Sequence, residues 1–379
     1  MKRVMIDAGG LAYYFVTGRV NGIGRTTMEL IQALAARAGE LPFEVMLYSQ
    51  NMKGIGGRNL HTPFRCRHLY LPDRPQVNRL LACTPVKEWF TGYDLLHIPS
   101  NFAYVHRPDR CVVTIHDALF MKMQEQAFNH DKMRMEVPPF ARACRHIITC
   151  SEASKRDIVE TMHVEPEKVT VIYWGIKHDV FHPLQLAKED IINELKEHYA
   201  AMPSDYFLSV SCNAERKRTH LLVEAYMELC KQRPVNDLVL VWGNPPQWLM
   251  QKINSSPARG RVHFVTGLGD DQLALLYNGA MAAFTPSSYE GFGLPLLEAM
   301  ACGTPVVTCG NSSLGEIAAD AAIYMDEPVK GSALAVMEQF ENGSIDIEKY
   351  RLKGLTRAAE FTWQRTAAKT IEVYKHNWE

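Results

Sequence analysis

The stretch AAFTPSSYEGFGLPLLEAMACGTPVVT, residues 282–308, decides the fold prediction. Its first four residues form a short apolar run typical of a buried strand, and a glycine-rich loop follows. Pro295 suits the first position of a helix, and Gly303 with Pro305 predicts where that helix ends. A second apolar run then begins. The succession of strand, loop, helix and strand indicates a βαβ unit of a parallel sheet.

The same alternation of short β-branched runs and longer amphipathic stretches extends over nearly the whole chain. It predicts an α/β protein made of two doubly wound parallel-sheet domains in series. The strand candidates are Val4–Asp7, Phe43–Ser49, Leu95–Ile98, Cys111–His116, His146–Cys150, Val169–Tyr173, Tyr206–Ser211, Leu238–Trp242, Val262–Phe264, Ala282–Thr285, Pro305–Thr308 and Ala322–Tyr324. The turn-rich stretch Trp174–Pro203, between the two sets, is the predicted interdomain linker.

We therefore expect one Rossmann-like domain over residues 1–180 and a second over residues 200–360. Ligands of such folds bind beyond the C-terminal ends of the strands, so two facing domains would share a cleft. The last stretch, Phe361–Trp378, predicts an amphipathic helix with one buried face.

Composition excludes several classes of protein. The 379 residues are 47% hydrophobic and 22% charged, as in ordinary soluble domains, and a net charge of −1 argues against a nucleic-acid binder. The nine cysteines show no C-x-x-C spacing, which predicts buried thiols rather than a zinc site or a disulfide framework. Neither a signal peptide nor an apolar run of about 18 residues is present, which favours a cytoplasmic protein.

Charge is concentrated at the N-terminal end of the sequence. Residues 1–80 contain eleven Lys and Arg but only five Asp and Glu. This excess suits contact with an anionic lipid surface or an acceptor phosphate, and it equally suits solvated loops, because no compact basic run occurs.

The glycine loop and the helix after it have the chemistry of an anion site. The backbone N–H groups of Gly293 and Leu294, with the helix dipole, suit a diphosphate. Glu290 and Glu298 flank this loop, and carboxylates beside a phosphate site are suited to hydrogen bonds from sugar hydroxyls. Each acid alone reads as an ordinary loop or helix residue, but their joint placement indicates a functional site.

Two further groups follow predicted strands at their C-terminal ends, where ligands bind. Arg216 and Lys217, after Tyr206–Ser211, would neutralise the charge on a departing nucleoside diphosphate; a solvated basic turn is the alternative. His116, at the end of its strand, would bind a donor-sugar hydroxyl or organise the reacting centre, and Asp117 would then orient the imidazole.

The segment from Glu290 to Val307, with its E-x7-E spacing, resembles the signature of glycosyltransferase family 4, a retaining family with the GT-B fold. The resemblance implies that Glu298 holds the ribose hydroxyls of the donor and that Glu290 touches the transferred sugar. It further implies that Phe292, Gly293 and Leu294 line the phosphate and sugar pocket.

Other segments extend the resemblance over nearly the whole chain. Lys217 matches a family lysine, but Ser211 and Cys212 stand where many members have glycine and often arginine, so Arg216 or Arg218 would supply the second cation. Thr114–Asp117 resembles the family T-x-H-D segment that contains His116. The closing helix resembles the family helix that crosses back to the first domain.

Two loops are assigned by the resemblance alone. Phe264–Asp270, with Gly267 and Leu268, is similar to the loop whose main chain meets the nucleotide base. Arg19–Thr26 is similar to the glycine-rich acceptor-side loop. In that loop Gly22 and Gly24 would let the backbone approach donor phosphate or acceptor, and Arg25 would bind a phosphate.

The resemblance implies a retaining glycosyltransferase that uses a nucleotide sugar and a glycan or lipid-linked acceptor, with mannose or glucose transferred in surface polysaccharide synthesis. No D-x-D motif ends a strand, so we expect neither a catalytic metal nor another cofactor. Membrane contact would be peripheral, at the inner face. The alternatives are a sugar-nucleotide epimerase, a hinged ligand-binding protein, and a dehydrogenase, for which no G-x-G-x-x-G follows Val4–Asp7.

Overall fold

The structure is a computed structural model that describes residues 1–17, 22–123, 130–232 and 236–377. The chain divides into two compact units. The first contains Met1–Gly175 and Trp363–Glu379, and the second contains Ile176–Thr362.

The strands are β1 Arg3–Asp7, β2 Glu44–Gln50, β3 Arg65–Leu69, β4 Leu95–Ile98, β5 Cys111–Thr114, β6 His146–Thr149, β7 Val169–Val171, β8 Tyr206–Val210, β9 Asp237–Val241, β10 Val262–Val265, β11 Ala282–Thr285, β12 Val306–Cys309 and β13 Ala322–Met325. The α-helices are α1 Ala12–Thr17, α2 Gly22–Ala35, α3 Pro75–Cys83, α4 Val86–Thr91, α5 Leu119–Lys122, α6 His130–Ala143, α7 Glu152–Met162, α8 Lys188–His198, α9 Thr219–Leu229, α10 Gln247–Asn254, α11 Asp270–Gly279, α12 Leu294–Ala301, α13 Ser312–Ala318, α14 Lys330–Glu341, α15 Ile347–Ala358 and α16 Trp363–His376.

Each unit is built on one parallel sheet. The described strands of the first unit lie in the order β3-β2-β1-β4-β5-β6-β7, and those of the second in the order β10-β9-β8-β11-β12-β13. Strands such as β4 and β5 are buried at every residue, because parallel sheets have both faces covered. The predicted α/β class with two doubly wound sheets is confirmed.

The order of strands reverses once in each sheet, between β1 and β4 in the first unit and between β8 and β11 in the second. In the first sheet, β2 and β3 are added on one side of β1, and β4 to β7 are added on its other side. The second sheet is built in the same way around β8. The crossover connections therefore leave the two neighbouring strands in opposite directions and open a crevice at their C-terminal ends.

One strand in the described chain escaped the sequence prediction. Strand β3 is the edge strand of the first sheet, and Arg65 and Arg67 point to solvent between half-buried neighbours. Charged residues of this kind are common on edge strands, where they discourage pairing with another chain. The run therefore lacks the continuous apolar character that identified the central strands.

The predicted linker was too long. The change of unit falls between Gly175 and Ile176, and most of Trp174–Pro203 is an integral part of the second unit. Phe181 is fully buried with its ring 6.2 Å from that of Tyr277, and α8 packs its buried face against α11. The turn residues at the start of Trp174–Pro203 gave no indication of this packing.

The closing helix α16 belongs to the first unit, as expected. Its Tyr374 is fully buried, with the hydroxyl 2.6 Å from Nδ1 of His97. The Trp363 ring stacks on Trp174 at 6.3 Å between centroids. Thus the last element is fixed by buried polar and aromatic contacts inside the first unit.

The thiols agree with the sequence prediction in most places. The buried cysteines are Cys111, Cys144, Cys150, Cys230, Cys302 and Cys309. Ser151 caps the start of α7 by accepting a hydrogen bond from the Ser154 N–H. In the described part of the chain, no helix is both long enough and apolar enough to span a membrane.

Candidate functional site

The point where the second sheet reverses its strand order brings three predicted site residues together. Arg216 and Lys217 lie in the short helical turn that follows β8, and Glu290 lies in the loop that follows β11. Strands β8 and β11 are neighbours, so their C-terminal ends open onto the same crevice.

These side chains form one ionic cluster. The Lys217 Nζ lies 2.5 Å from Glu290 Oε1, and the Arg216 Nη1 lies 3.1 Å from Glu290 Oε2. The Ser287 hydroxyl donates a further hydrogen bond to Oε1 at 2.8 Å. Burial by itself would raise the pKa of the Glu290 carboxyl, but the two neighbouring cations and Ser287 outweigh it and hold that pKa below its ordinary value.

Main-chain bonds lock the two loops to each other. The Ser288 N–H donates to the Arg216 carbonyl at 2.7 Å, and the Arg216 guanidinium donates to the Tyr289 carbonyl at 3.1 Å. These bonds fix the position of the Arg216 guanidinium relative to the β11 loop.

Helix α13 supports the same loop from the other side. The Glu290 N–H donates to the Ser312 hydroxyl at 3.0 Å, while the Ser313 hydroxyl donates to the Glu290 carbonyl at 2.8 Å. Glu290 is therefore held through its carboxylate by Arg216, Lys217 and Ser287, and through its backbone by α13.

The glycine loop leads into α12, whose N-terminus lies directly after it. Gly293 has a φ of 101°, and a Cβ there would come within 2.8 Å of Leu314 Cδ2, so any other residue would be strained at this position. Leu294 begins the helix, Pro295 follows, and Phe292 is buried with its ring 6.0 Å from that of Phe361. Pro295 has no N–H and the Leu296 N–H donates to the Gly293 carbonyl at 3.1 Å, so the N–H groups of Gly293 and Leu294 are those that suit an anion here.

The remaining predicted donor residues lie in the same unit. Glu298 on α12 is only 2% exposed, and the Tyr277 hydroxyl on α11 donates to its Oε2 at 3.3 Å. Gly267 and Leu268 lie between β10 and α11, two strands away from β8. Since α11 packs on α12, Tyr277 connects the predicted base loop with the buried carboxylate of Glu298.

In the first unit, His116 lies just beyond the end of β5 and belongs to a well-packed environment. Its Nε2 is 3.2 Å from the Pro99 carbonyl, and its backbone N–H donates to Asn101 Oδ1. Burial lowers the pKa of His116, so the imidazole is neutral near pH 7, and the hydrogen bond to Pro99 opposes the shift only in part. Asp117, expected to orient the ring, accepts a hydrogen bond from the Leu119 N–H.

The expected acceptor-side loop is mainly helix. Helix α2 begins at Gly22, so Gly22, Gly24 and Arg25 lie in its first turns, and Arg19–Asn21 lie outside the described residues. Gly22 is exposed and Gly24 is buried. The sequence prediction of a loop up to Thr26 was therefore wrong.

Two groups of residues at these sites were not among the predicted site residues. Ser287, Ser312 and Ser313 hold the Glu290 loop, and nothing in their spacing distinguished them from ordinary loop serines. Asp7 and Lys87 line a pocket at the reversal point of the first sheet. Asp7 ends β1, so the rule that ligands bind at strand ends would have found it, whereas Lys87 has no such signal.

Metal ligands do not cluster in the part of the chain that the structure covers. Over residues 1–17, 22–123, 130–232 and 236–377, no group of three or more His, Cys, Asp or Glu is placed to hold a metal ion. The positive charges beside Glu290 come from the side chains of Arg216 and Lys217.

Comparison with known proteins places the chain in a family. Residues 20–180 match the model described as Glycosyltransferase Family 4, and residues 190–350 match that described as Glycosyl transferases group 1. The O-antigen chain mannosyltransferase B of Escherichia coli is 27% identical over 74% of this chain and 74% of its own length.

Two other mannosyltransferases are similar. The MMP alpha-(1->4)-mannosyltransferase of Mycolicibacterium hassiacum is 30% identical over 62% of this chain and 55% of its own length. The serotype-specific mannosyltransferase WbdA of Escherichia coli is 25% identical over 98% of this chain. The chain spans about half the length of these two relatives, 55% and 48%.

Solved structures show the same fold. The sucrose-phosphate synthase of Thermosynechococcus elongatus matches with a TM-score of 0.72 at 19% identity, covering 99% of both chains. The Anabaena protein HepE, solved in complex with UDP and glucose, matches with a TM-score of 0.75 at 17% identity and the same coverage. These matches confirm the expected GT-B fold class. Since the two family models together match residues 20–180 and 190–350, which is most of the sequence, the chain belongs to the group 1 glycosyltransferases of family 4.

Proposed function

We propose that this protein is a retaining glycosyltransferase that transfers a hexose, with mannose favoured, from a nucleotide-diphosphate sugar to a glycan or lipid-linked acceptor in surface polysaccharide synthesis. Three relatives with similar sequences are named as mannosyltransferases, and two of these are named for O-antigen or serotype-specific work. The HepE structure with UDP and glucose supports a nucleotide-sugar donor.

The observation that carries the proposal is the cluster of Arg216 and Lys217 around Glu290, next to the first amides of α12. Two cations and a helix N-terminus at one crevice match the charge that accumulates on a leaving nucleoside diphosphate. A protein that only binds a neutral sugar would gain nothing from the positive charges of Arg216 and Lys217 at this crevice.

The proposed reaction exchanges one bond for another. The bond between the anomeric carbon and the diphosphate oxygen breaks, and the acceptor hydroxyl oxygen forms its bond on the same face of the sugar. The hydroxyl proton passes to a phosphate oxygen. Lys217 and Arg216 stabilise the diphosphate as its charge grows, so we propose that no divalent cation is needed.

Glu290 and Glu298 would bind hydroxyls on the two sides of the diphosphate. Glu298 is already buried beside Tyr277 and would hold the ribose. Glu290 is bound to both cations and would exchange some of these bonds for hydroxyls of the transferred sugar. His116 would contact the sugar in its neutral form.

The site of the reaction is proposed to be cytoplasmic, at the inner face of the membrane. The excess of Lys and Arg over residues 1–80 supports peripheral contact with anionic lipid.

The test is a screen of mannose and glucose linked to UDP, GDP and ADP, with and without oligomannoside acceptors and with EDTA present. We expect slow hydrolysis of one donor without acceptor, and a product of retained anomeric configuration by NMR. An inverted product would overturn the retaining mechanism. Conversion of the donor into an epimeric sugar nucleotide would favour the epimerase, and binding without any turnover would favour a ligand-binding protein.

A further inference from the structure

A pocket of about 330 Å³ in the second unit lies at the C-terminal ends of β8 and β9. The cluster around Glu290 lies at the ends of β8 and β11, on the other side of β8 in the sheet. Glu215 lines the pocket, whereas Arg216 and Lys217 of the same turn bind Glu290. No described residue that bonds to the Glu290 carboxylate lines this pocket, so it is a separate site that borders on the proposed reaction centre.

Hydrogen bonds fix the walls of this pocket. The Trp242 indole N–H donates to Asn213 Oδ1 at 2.6 Å, and the Asn213 amide donates to the Asn244 carbonyl. These two bonds join the turn after β8 to the turn after β9. The hydroxyl of Thr219, at the start of α9, is bonded to that of Ser211. The pocket is therefore formed before a ligand arrives, which lowers the cost of binding.

Several polar groups of the lining have no protein partner. The ring nitrogens of His220 and the indole N–H of Trp248 make no hydrogen bond to any described residue. Glu215 pairs with Arg218 through Oε1, and its second oxygen has no partner among the described residues. Burial and the charge of Arg218 lower the pKa of His220, so the imidazole is neutral near pH 7 and offers one donor and one acceptor.

Trp248 supplies the exposed aromatic surface of the pocket. The residue is 50% exposed, and its ring lies 6.3 Å from that of His220 between centroids, nearly at a right angle. Such a tryptophan presents a large apolar face and keeps its N–H for hydrogen bonding. A pyranose ring has the complementary chemistry, with C–H groups on its faces and hydroxyls around its rim. An aromatic face flanked by donors and acceptors therefore matches a sugar.

The charges around the pocket argue against an anionic ligand. The lining contains the carboxylate of Glu215 and, within the described chain, no lysine or arginine. Two cations of the neighbouring segments are paired, Arg218 with Glu215 and Lys252 with Glu224. A phosphate would consequently meet a carboxylate without an unpaired cation from these segments. The volume is at the lower end of the range for small-molecule pockets and suits one neutral sugar ring.

We propose that this pocket binds one hexopyranose ring of a glycan, with a face of the ring on Trp248 and its hydroxyls bonded to His220 and Glu215. Binding of a sugar here does not depend on the proposed function. That the ring belongs to the acceptor glycan rests on the proposed glycosyltransferase activity. Such a site holds a long glycan beside the crevice while its end reacts, and so favours repeated transfer to the same chain.

NMR of the full-length protein labelled with 15N-tryptophan tests the binding. The chain has six tryptophans, and the indole signal that is missing from Trp248→Ala identifies Trp248. We expect this signal to shift saturably when a linear tetrasaccharide of mannose, glucose or galactose is added. It should not shift with UMP, GMP or AMP. The three methyl α-D-hexopyranosides then show which sugar the pocket selects.

Two variants measure how far the lining contributes. His220→Ala removes a hydrogen-bonding group and should raise the Kd of the tetrasaccharide about 3- to 10-fold. If His220→Ala does not fold, Glu215→Ala, at an exposed position, replaces it with the same expected outcome. Trp89→Ala is the matched control and should leave the Kd unchanged, because Trp89 is an exposed tryptophan on α4 of the first unit.

Transfer assays test the role of the pocket in the proposed reaction. In Trp248→Ala the KM of a tetrasaccharide acceptor should rise about 3- to 10-fold, because the aromatic contact is lost. The donor KM, and kcat with a monosaccharide acceptor, should stay within about twofold of wild type. Products of Trp248→Ala should accordingly be shorter than those of Trp89→Ala.

The outcomes separate the two proposals. A saturable shift of the Trp248 signal with an oligosaccharide, without turnover of any nucleotide sugar, keeps the pocket and overturns the proposed enzyme. Transfer with an unchanged tetrasaccharide KM in a folded Trp248→Ala overturns the role in acceptor binding and keeps the enzyme. Absence of a shift with every oligosaccharide overturns the pocket. A shift with a nucleoside monophosphate alone also overturns it, because the pocket would then hold the base of the donor.

Discussion

The two units reverse their strand order at equivalent positions, but they treat the charged side chains there differently. In the second unit Arg216 and Lys217 are both bonded to Glu290 within 3.1 Å. In the first unit the Lys87 amine has no hydrogen bond or ion pair to any described residue. A paired cluster must exchange bonds before it holds an anion, whereas an amine without such bonds has none to give up. The two crevices therefore differ in what a charged ligand must displace on binding.

The largest expected effect concerns the cation of the second unit. Lys217→Met removes charge that would stabilise the leaving diphosphate, and should lower kcat about 100- to 1000-fold in steady-state transfer assays. Donor binding should weaken much less, because Arg216 and the α12 amides remain. Lys231→Met is the control, since Lys231 is an exposed lysine of the same unit paired with Glu228. A folded Lys217→Met with nearly wild-type kcat would remove this lysine from the mechanism.

As the pH decreases, the first unit should lose stability at a higher pH than the second. Burial lowers the pKa of His97 to about 3, against about 6.5 for an ordinary histidine. The folded state therefore resists protonation, so its stability is complete above about pH 6.5 and falls as the pH decreases towards the folded pKa. Between pH 6.5 and 5 this histidine alone should cost about 2 kcal/mol of unfolding free energy.

Urea unfolding of wild type and His97→Gln at several pH values measures that cost. The variant should lose about 2 kcal/mol of the pH dependence, whereas His376→Gln, at an exposed position of the same unit, should keep it. Glu290 stabilises the folded state with the same sign of pH dependence, but in a lower pH range. Its pKa is lowered, so its contribution is present above the ordinary value near 4.5 and is lost only below it. In hydrogen-exchange measurements at pH 5, the backbone amides of β4 should consequently exchange faster than those of β11. Faster exchange in β11 would contradict this assignment.

The sequence predicted much of the fold because buried strands carry a strong signal. Strand β4 was predicted with the observed bounds, since its apolar run is buried at every residue. The edge strand β3 gave no such signal, because Arg65 and Arg67 face solvent. The burial of Phe181, which makes the supposed linker part of the second unit, depends on the distant Tyr277 and could not be read from local pattern.

The site was predictable only as far as strand ends determine it. Arg216, Lys217 and Glu290 were found because each follows a strand, and parallel strands end at the same edge of a sheet. Their bonding was not predictable, because it depends on Ser312 and on main-chain bonds between loops about seventy residues apart. Lys87 could not be recognised at all, since a lysine on a short helix is ordinarily exposed.

The smallest effect concerns the pairing that distinguishes the units. Glu290→Gln keeps the size of the side chain but leaves Arg216 and Lys217 without their counter-charge. A nucleoside diphosphate no longer has to displace a carboxylate, so UDP, GDP or ADP should bind about tenfold tighter, a gain of about 1.4 kcal/mol. Isothermal titration calorimetry at constant salt measures this change.

Transfer by the same variant should nevertheless be slower, because the sugar loses a charged hydrogen-bond acceptor. Glu224→Gln is the control, since it removes an equivalent ion pair with Lys252 elsewhere in the second unit. Tighter diphosphate binding in Glu290→Gln alone would mean that the resting ion pairs hold the cations in reserve until a donor arrives. Equal or weaker binding would mean that Glu290 positions the cations for the diphosphate, and the contrast with the unpaired Lys87 would then lose its functional meaning.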